Sequence, residues 1–172
     1  MRTGMLAILC GTAPLLTAIA AGAQELQDRR FYIAPSATYT LFDSDRNLQD
    51  ELGGQLLLGK PLTPHLNLEL YGFNTDADTD TTPSSSVEQG AIGLTGLYFF
   101  DRDQYPFFAL LGAAKGQIDS GTTDIDAKFY DLGVGFLRPL NDYGIAFRAE
   151  YRFRRTDPDV GNRANDNVLS FG

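Results

Sequence analysis

The sequence predicts an all-β fold, an eight-stranded antiparallel up-and-down barrel that crosses a membrane with its polar face turned inward. Three observations lead there. Segments of about ten residues alternate apolar and polar side chains with a period of two. The links between those segments take turns being long and short. After residue 23 no stretch is long and apolar enough to cross a bilayer as a helix, so a chain that spans a membrane must do so with strands. With 172 residues there is room for one domain.

The N-terminus reads as an export signal. Arg2 gives a basic start, Met5 through Ala20 an apolar run broken by Pro14, and Ala21-Gly22-Ala23 a small-x-small cleavage site before Gln24. Residues 1–23 are therefore assigned to a cleaved signal peptide and residues 24–172 to the barrel domain. Cys10 does not fit a lipoprotein signal, because the bulky Leu9 precedes it. Cleavage removes the only cysteine, so the mature chain relies on burial and hydrogen bonds in place of disulfides. It also removes one of 14 basic residues, leaving 13 against 22 acidic ones, a net charge of −9. That balance argues against nucleic acid as a partner.

The strands follow in order. In the first, Phe31, Ile33, Pro35, Ala37, Tyr39 and Leu41 share one face, and Tyr32, Ala34, Ser36, Thr38 and Thr40 the other. Leu52–Lys60 sets Leu52, Gly54, Leu56 and Leu58 against Gly53, Gln55, Leu57 and Gly59. Leu66–Phe73 sets Leu66, Leu68 and Leu70 against Asn67, Glu69 and Tyr71. Glu88–Phe100 sets Ile92, Leu94, Tyr98 and Phe100 against Gln89, Ala91, Gly93 and Thr95. Phe107–Lys115 is apolar throughout and its faces stay unassigned. Phe129–Leu137 sets Tyr130, Leu132, Val134 and Phe136 against Asp131, Gly133 and Gly135. The seventh segment alternates strictly, with Ile145, Phe147, Ala149, Tyr151 and Phe153 against Ala146, Arg148, Glu150, Arg152 and Arg154. Turning it over would put Arg148 and Arg152 into hydrocarbon at about 2 to 4 kcal/mol each, so its charges must face the lumen. The eighth starts near Asp166 and offers seven residues to Gly172, where about 9 to 11 are needed to span. A truncated last strand, and with it an open barrel edge, is therefore expected.

Long polar links at Asp43–Glu51, Asn74–Val87, Gln117–Lys128 and Arg155–Asn165 alternate with short ones at Pro61–His65, Asp101–Pro106 and Asn141–Tyr143. Long outer loops and tight periplasmic turns produce this order. Aromatics gather near the segment ends as two girdles: Phe31, Tyr98, Phe100, Tyr105, Phe107 and Tyr143 toward the short turns, and Tyr39, Phe42, Phe73, Tyr130, Tyr151 and Phe153 toward the long links. Alternation alone also fits a soluble secreted β-barrel binding protein with an apolar core, which stays open as an alternative.

Tyr32-Ile33-Ala34-Pro35, Gly53-Gly54, Gly59-Lys60-Pro61-Leu62, Asn67-Leu68-Glu69 and Asp166-Asn167-Val168, each at the start or end of a segment, give the chain from Arg30 onward a pattern that resembles the N-terminal barrel of the OmpA-like outer-membrane family. The resemblance implies eight strands in the outer membrane of a Gram-negative cell and insertion by the barrel-assembly machinery. It also implies contact with outer-membrane lipid and lipopolysaccharide. The peptidoglycan-binding domain that often follows such barrels has no counterpart in the sequence given.

An eight-stranded barrel has room inside for side chains and little else. Glu69, Asp131, Arg148, Glu150, Arg152 and Arg154, with Lys115 as a further candidate, are expected to form an ion network across the lumen, structural or gating in role. The resembled family implies that such pairs gate a small conductance. No catalytic, cofactor or metal site is predicted. Asp76-Ala77-Asp78-Thr79-Asp80 begins like a calcium loop, but Thr81 stands where glycine is needed and Val87 where a bidentate glutamate is needed. Gly54–Lys60 spells part of a phosphate-binding loop, but Pro61 replaces its Ser or Thr and no helix follows. His65, the only histidine, falls in a short periplasmic turn beside Pro64, far from the outer rim where lipid A lies, so no Ser/His pair is expected there. The expected function is structural and interactive, with four long acidic loops displayed outside and a charged, plugged lumen. A narrow low-conductance diffusion porin is the alternative from another class.

Overall fold

The computed structural model describes residues 30–44, 48–79, 86–102, 105–121, 123–140 and 144–172, so the signal peptide assigned to residues 1–23 lies outside it. Eight antiparallel strands pair in chain order and close into a barrel. They are β1 (Tyr32–Leu41), β2 (Glu51–Pro61), β3 (Leu66–Asp78), β4 (Ser86–Asp101), β5 (Tyr105–Asp119), β6 (Asp124–Pro139), β7 (Ala146–Pro158) and β8 (Ala164–Phe171). Following hydrogen-bonded partners once round the wall leads from Phe107 on β5 through Phe136, Ala149, Phe171, Ala37, Gly54, Asn74 and Gly90 to Gln117, again on β5. The sheet thus closes with a stagger of ten residues. For eight strands about 4.8 Å apart with about 3.4 Å per residue, that stagger tilts the strands by about 40°.

The alternation sorts the side chains as a membrane wall requires. Leu52, Leu56, Ile92, Leu94, Leu111, Leu132, Val134 and Tyr151 point outward and are exposed, while Thr38, Gln55, Glu69, Thr95, Asp131 and Arg152 are buried inside. In water so large a contiguous apolar wall would be untenable for a monomer, whereas lipid covers it without cost. Several expectations need correction. The last strand has eight residues, and Ala37–Leu41 of β1 pair with Phe171–Asn167, so the expected open edge is closed. Three of the four outer links begin and end as strand: β5 and β6 run on to Asp119 and Asp124 and leave only residues 120–123 as the turn, and β7 and β8 leave residues 159–163. Gly121, at φ 75°, turns the β5–β6 hairpin in a conformation that other residues rarely adopt, and Asp119 Oδ1 accepts its N–H at 2.6 Å. β3 likewise runs past Phe73 to Asp78 and pairs through to Ser86, so the presumed calcium-like loop begins as a ladder with Ala77 buried between outward Asp76 and Asp78.

The faces of β5, unreadable from its apolar sequence, are set by pairing. Phe108, Leu110 and Ala114 point inward, and Phe107, Leu111 and Lys115 outward. Lys115 is therefore not a lumen residue: its side chain is 71% exposed and faces Asp126 at 4.0 Å on the outer wall. Phe73 is likewise corrected from girdle to interior, with 7% exposure. Tyr143 and the Tyr105 side chain lie outside the described residues.

Candidate functional site

The lumen is filled in three layers. Nearest the short turns, Leu97, Phe99, Phe108 and Leu110 form a buried apolar cluster with Leu137 against it. In the other half, Leu57, Tyr71, Phe73, Ala91, Ala114, Ala127 and Phe129 form a second. Between and beside them runs a ladder of charge. It exists because residues of one parity on a strand share one face, so β7 delivers Arg148, Glu150, Arg152 and Arg154 to the interior in succession.

Six sequence-predicted residues meet in that ladder. Arg148 grips Glu69 with both terminal nitrogens, at 2.5 and 2.9 Å, and donates from Nε to Glu150 Oε1 at 2.5 Å. Arg152 donates Nε and a terminal nitrogen to Glu150 Oε2 at 2.9 and 2.7 Å, and its other terminal nitrogen reaches Asp131 Oδ2 at 3.2 Å. Arg154 closes the series with two hydrogen bonds to Asp131, at 2.8 and 3.1 Å. Three guanidiniums thus meet three carboxylates, and the set is neutral.

Neutrality is what makes the burial bearable. An isolated ion in so dry a place would be strongly disfavoured, and each carboxylate here instead accepts several charge-assisted hydrogen bonds. The aromatic layers join in. Arg154 lies 3.7 Å over the Phe73 ring, Arg152 lies 5.2 Å over Tyr71, and Arg148 lies 5.3 Å over Phe108.

Sequence reasoning missed the neutral members. Tyr71 donates its hydroxyl to Asp131 Oδ2 at 2.8 Å, and Tyr32 donates to Glu69 Oε1 at 2.5 Å. Asn67 donates to the Tyr32 oxygen at 2.9 Å and accepts from Arg102 at 2.5 Å, and Ser170 donates to Glu150 at 3.2 Å. The signal was there in the parity: Asn67 and Tyr71 alternate with the apolar side chains of β3 in step with Glu69. His65 sits in the β2–β3 turn with Nδ1 3.0 Å from the Phe99 carbonyl oxygen, and its ring stacks on Tyr98. Gly54–Lys60 lies extended within β2. Among the described residues, no group of three or more His, Cys, Asp or Glu could hold a metal ion.

An apolar outer wall, a closed staggered sheet and a neutral, salt-bridged interior define a membrane-spanning β-barrel. The chain belongs to the outer membrane protein beta-barrel domain family, which it matches over residues 11–172, and its place is the outer membrane. With that placement the soluble alternative falls. Among solved structures it is similar to Neisserial surface protein A, at 18% identity and a TM-score of 0.59, over 82% of this chain and 93% of that one. It is also similar to Ail, the attachment invasion locus protein of Yersinia pestis, solved with the heparin analogue sucrose octasulfate. There the identity is 13% and the TM-score 0.50, over 83% of this chain and 94% of that one. No curated protein matches the sequence.

Proposed function

We propose that this protein is a surface-interaction barrel of the outer membrane, whose plugged lumen serves as a rigid mount for the hairpin ends displayed outside. The observation that carries the reading is the continuous ladder from Glu69 through Arg148, Glu150, Arg152 and Asp131 to Arg154, in which every ion is held by its neighbours. A pore needs mobile water along its axis, whereas these charges are spent on one another between two apolar layers. The ladder's role is then structural: it fixes the interior without a continuous aqueous path.

What the hairpins bind follows from their chemistry. Asp76, Asp78 and Glu88, Asp119, Asp124 and Asp126, and Asp157 and Asp159 crowd the outer ends of three hairpins. Such a rim favours cationic partners and repels a sulfated sugar such as the sucrose octasulfate with which Ail was solved. Export through a cleaved signal and insertion by the barrel-assembly machinery complete the reading.

Single-channel recording of the refolded chain in a planar bilayer tests it. The expected record is silent apart from rare small openings. Steady conductance would replace this reading with the narrow diffusion porin.

A further inference from the structure

The outer wall is not evenly clad. Ala37, Gly54, Gly72 and Gly90, on four adjacent strands, all point away from the lumen, and they leave an open groove of about 1140 Å³ that ends against Lys115. Interior packing does not ask for these glycines. A Cβ on Gly54 would meet nothing within 4 Å, and one on Gly72 or Gly90 would make only ordinary contacts of 3.5 Å or more. The inward Gly116 and Gly133 differ, because a Cβ there would fall on backbone atoms of the next strand. Glycine weakens a strand interior, and where the fold does not need it, it marks a close approach by something else.

A separate observation says what approaches. Lys115 on β5 and Lys128 on β6 are direct cross-strand partners, both outward-facing. Like charges placed opposite one another are unfavourable unless an anion sits with them. Arg155 on β7 is paired with Tyr130, one outward position along β6 from Lys128, and its charge acts on Asp157, the cross-strand partner of Lys128. Because each hydrogen-bonded row climbs by about 3 Å per strand in a barrel of this tilt, the three cations lie within about 3 Å of one height. That height is just above Tyr130, where the apolar wall gives way to polar side chains. The carboxylates at hand hold them loosely: Asp126 is 4.0 Å from Lys115 and Asp159 is 3.7 Å from Lys128, both pairs largely in solvent, and Asp157, opposite Lys128, is engaged by Arg163 at 2.8 Å.

We propose that this face binds one phosphorylated lipid of the outer leaflet, with an acyl chain in the groove and a phosphate between Lys115 and Lys128, Arg155 beside it. The order of the site is that of such a lipid, apolar below and cationic at the headgroup level, and the wall that carries it already stands in lipid. A second copy of the chain fits less well, since apposing two such faces would set their cations together.

The test uses the full chain refolded in detergent, with the mobility shift between unheated and heated samples as proof of folding. That control separates failure of this site from failure of the barrel reading. The protein is equilibrated with equal amounts of diphosphorylated lipid A and the same lipid stripped of phosphate, and retained lipid is counted by native mass spectrometry. The expected preference for the phosphorylated lipid is about tenfold, equivalent to one charge-assisted contact. Replacing Lys115, Lys128 and Arg155 together by Gln removes the preference, and Gly72→Leu lowers retention of both lipids. Equal retention of the two lipids by the unaltered protein overturns the proposal, even if a variant fails to fold. So does a preference that survives the triple replacement, displacement by millimolar inorganic phosphate, or a dimer that Gly72→Leu dissolves.

Discussion

Glu150 has a guanidinium on either side, and each of its oxygens is engaged: Oε1 by Arg148, Oε2 by Arg152 and by Ser170. Making it neutral leaves three buried arginines facing two carboxylates. Removal of one member of such a set costs about 3 to 5 kcal/mol, because the remaining charge stays buried and unpaired. Glu150→Gln is therefore expected to lower the unfolding free energy, read from urea titration of the fast-migrating form of the refolded barrel, by an amount in that range. Adding Arg152→Met restores the balance of charge, two against two, so the double variant should lose less than Glu150→Gln alone. If it loses the sum of two independent penalties, the ladder is a set of separate contacts and not one neutral unit.

Along a strand, parity decides everything, and parity is what the sequence displays best where the two faces differ chemically. β7 could be read residue by residue because arginine and glutamate alternate with aromatics, and the structure buries the one set and exposes the other. β5 could not, since Phe107–Ala114 is apolar or glycine on both sides. Lys115 was misplaced for that reason: only its ladder partners Ile92 and Lys128 show that it belongs to the outer wall. Strand ends were hidden by the opposite uniformity. Past Phe73 and past Lys115 the outward face turns polar, so ladders that run well beyond the membrane look like loop. The network's acids and bases were legible as charges of one parity, and Asn67 and Tyr71 share that parity on β3, but which ion each one meets depends on a register that no single strand contains. The face assignment itself is tested by a pair of substitutions of equal chemistry. Leu132→Arg would put a cation on a wall residue that is 60% exposed to lipid, at about 2 to 4 kcal/mol near the midplane, and should block stable insertion. Gln89→Arg enters the lumen near its outer mouth, where the buried Gln89 amide nitrogen has no hydrogen-bond partner, and should be tolerated. Insertion into liposomes, read by protection from added protease, separates the two, and equal yields would sink the assignment.

For the molecule as a whole, the ten-residue stagger and the two apolar layers place everything that holds the barrel shut below the outer rim. The ladder ends at Arg154 and Asp131, and the upper apolar cluster ends at Phe73, Ala127 and Phe129. The β3–β4 hairpin, by contrast, pairs on through Asp76↔Glu88 to Asp78↔Ser86 with acidic side chains outward and Ala77 buried beneath, and it meets the β1–β2 link at the Leu48–Thr79 bridge and the hydrogen bond from Gln49 N–H to the Asp78 carbonyl oxygen. Hairpin turns contribute chain-closure entropy that grows only slowly with length, so shortening this one should cost the barrel almost nothing. Replacing residues 76–88 by Asn-Gly, a dipeptide suited to two-residue hairpins, is therefore expected to leave the heated-against-unheated mobility shift intact and to change the unfolding free energy from urea titration by no more than about 1 kcal/mol. It should also reduce attachment of the protein to a cationic surface such as polylysine-coated beads, because three of the outward carboxylates that make the rim acidic go with it. Loss of the mobility shift would mean that the hairpin is part of the barrel's closure. An intact shift with unchanged attachment would move the interaction surface to the β5–β6 and β7–β8 hairpins, whose ends carry Asp119, Asp124, Asp126, Asp157 and Asp159.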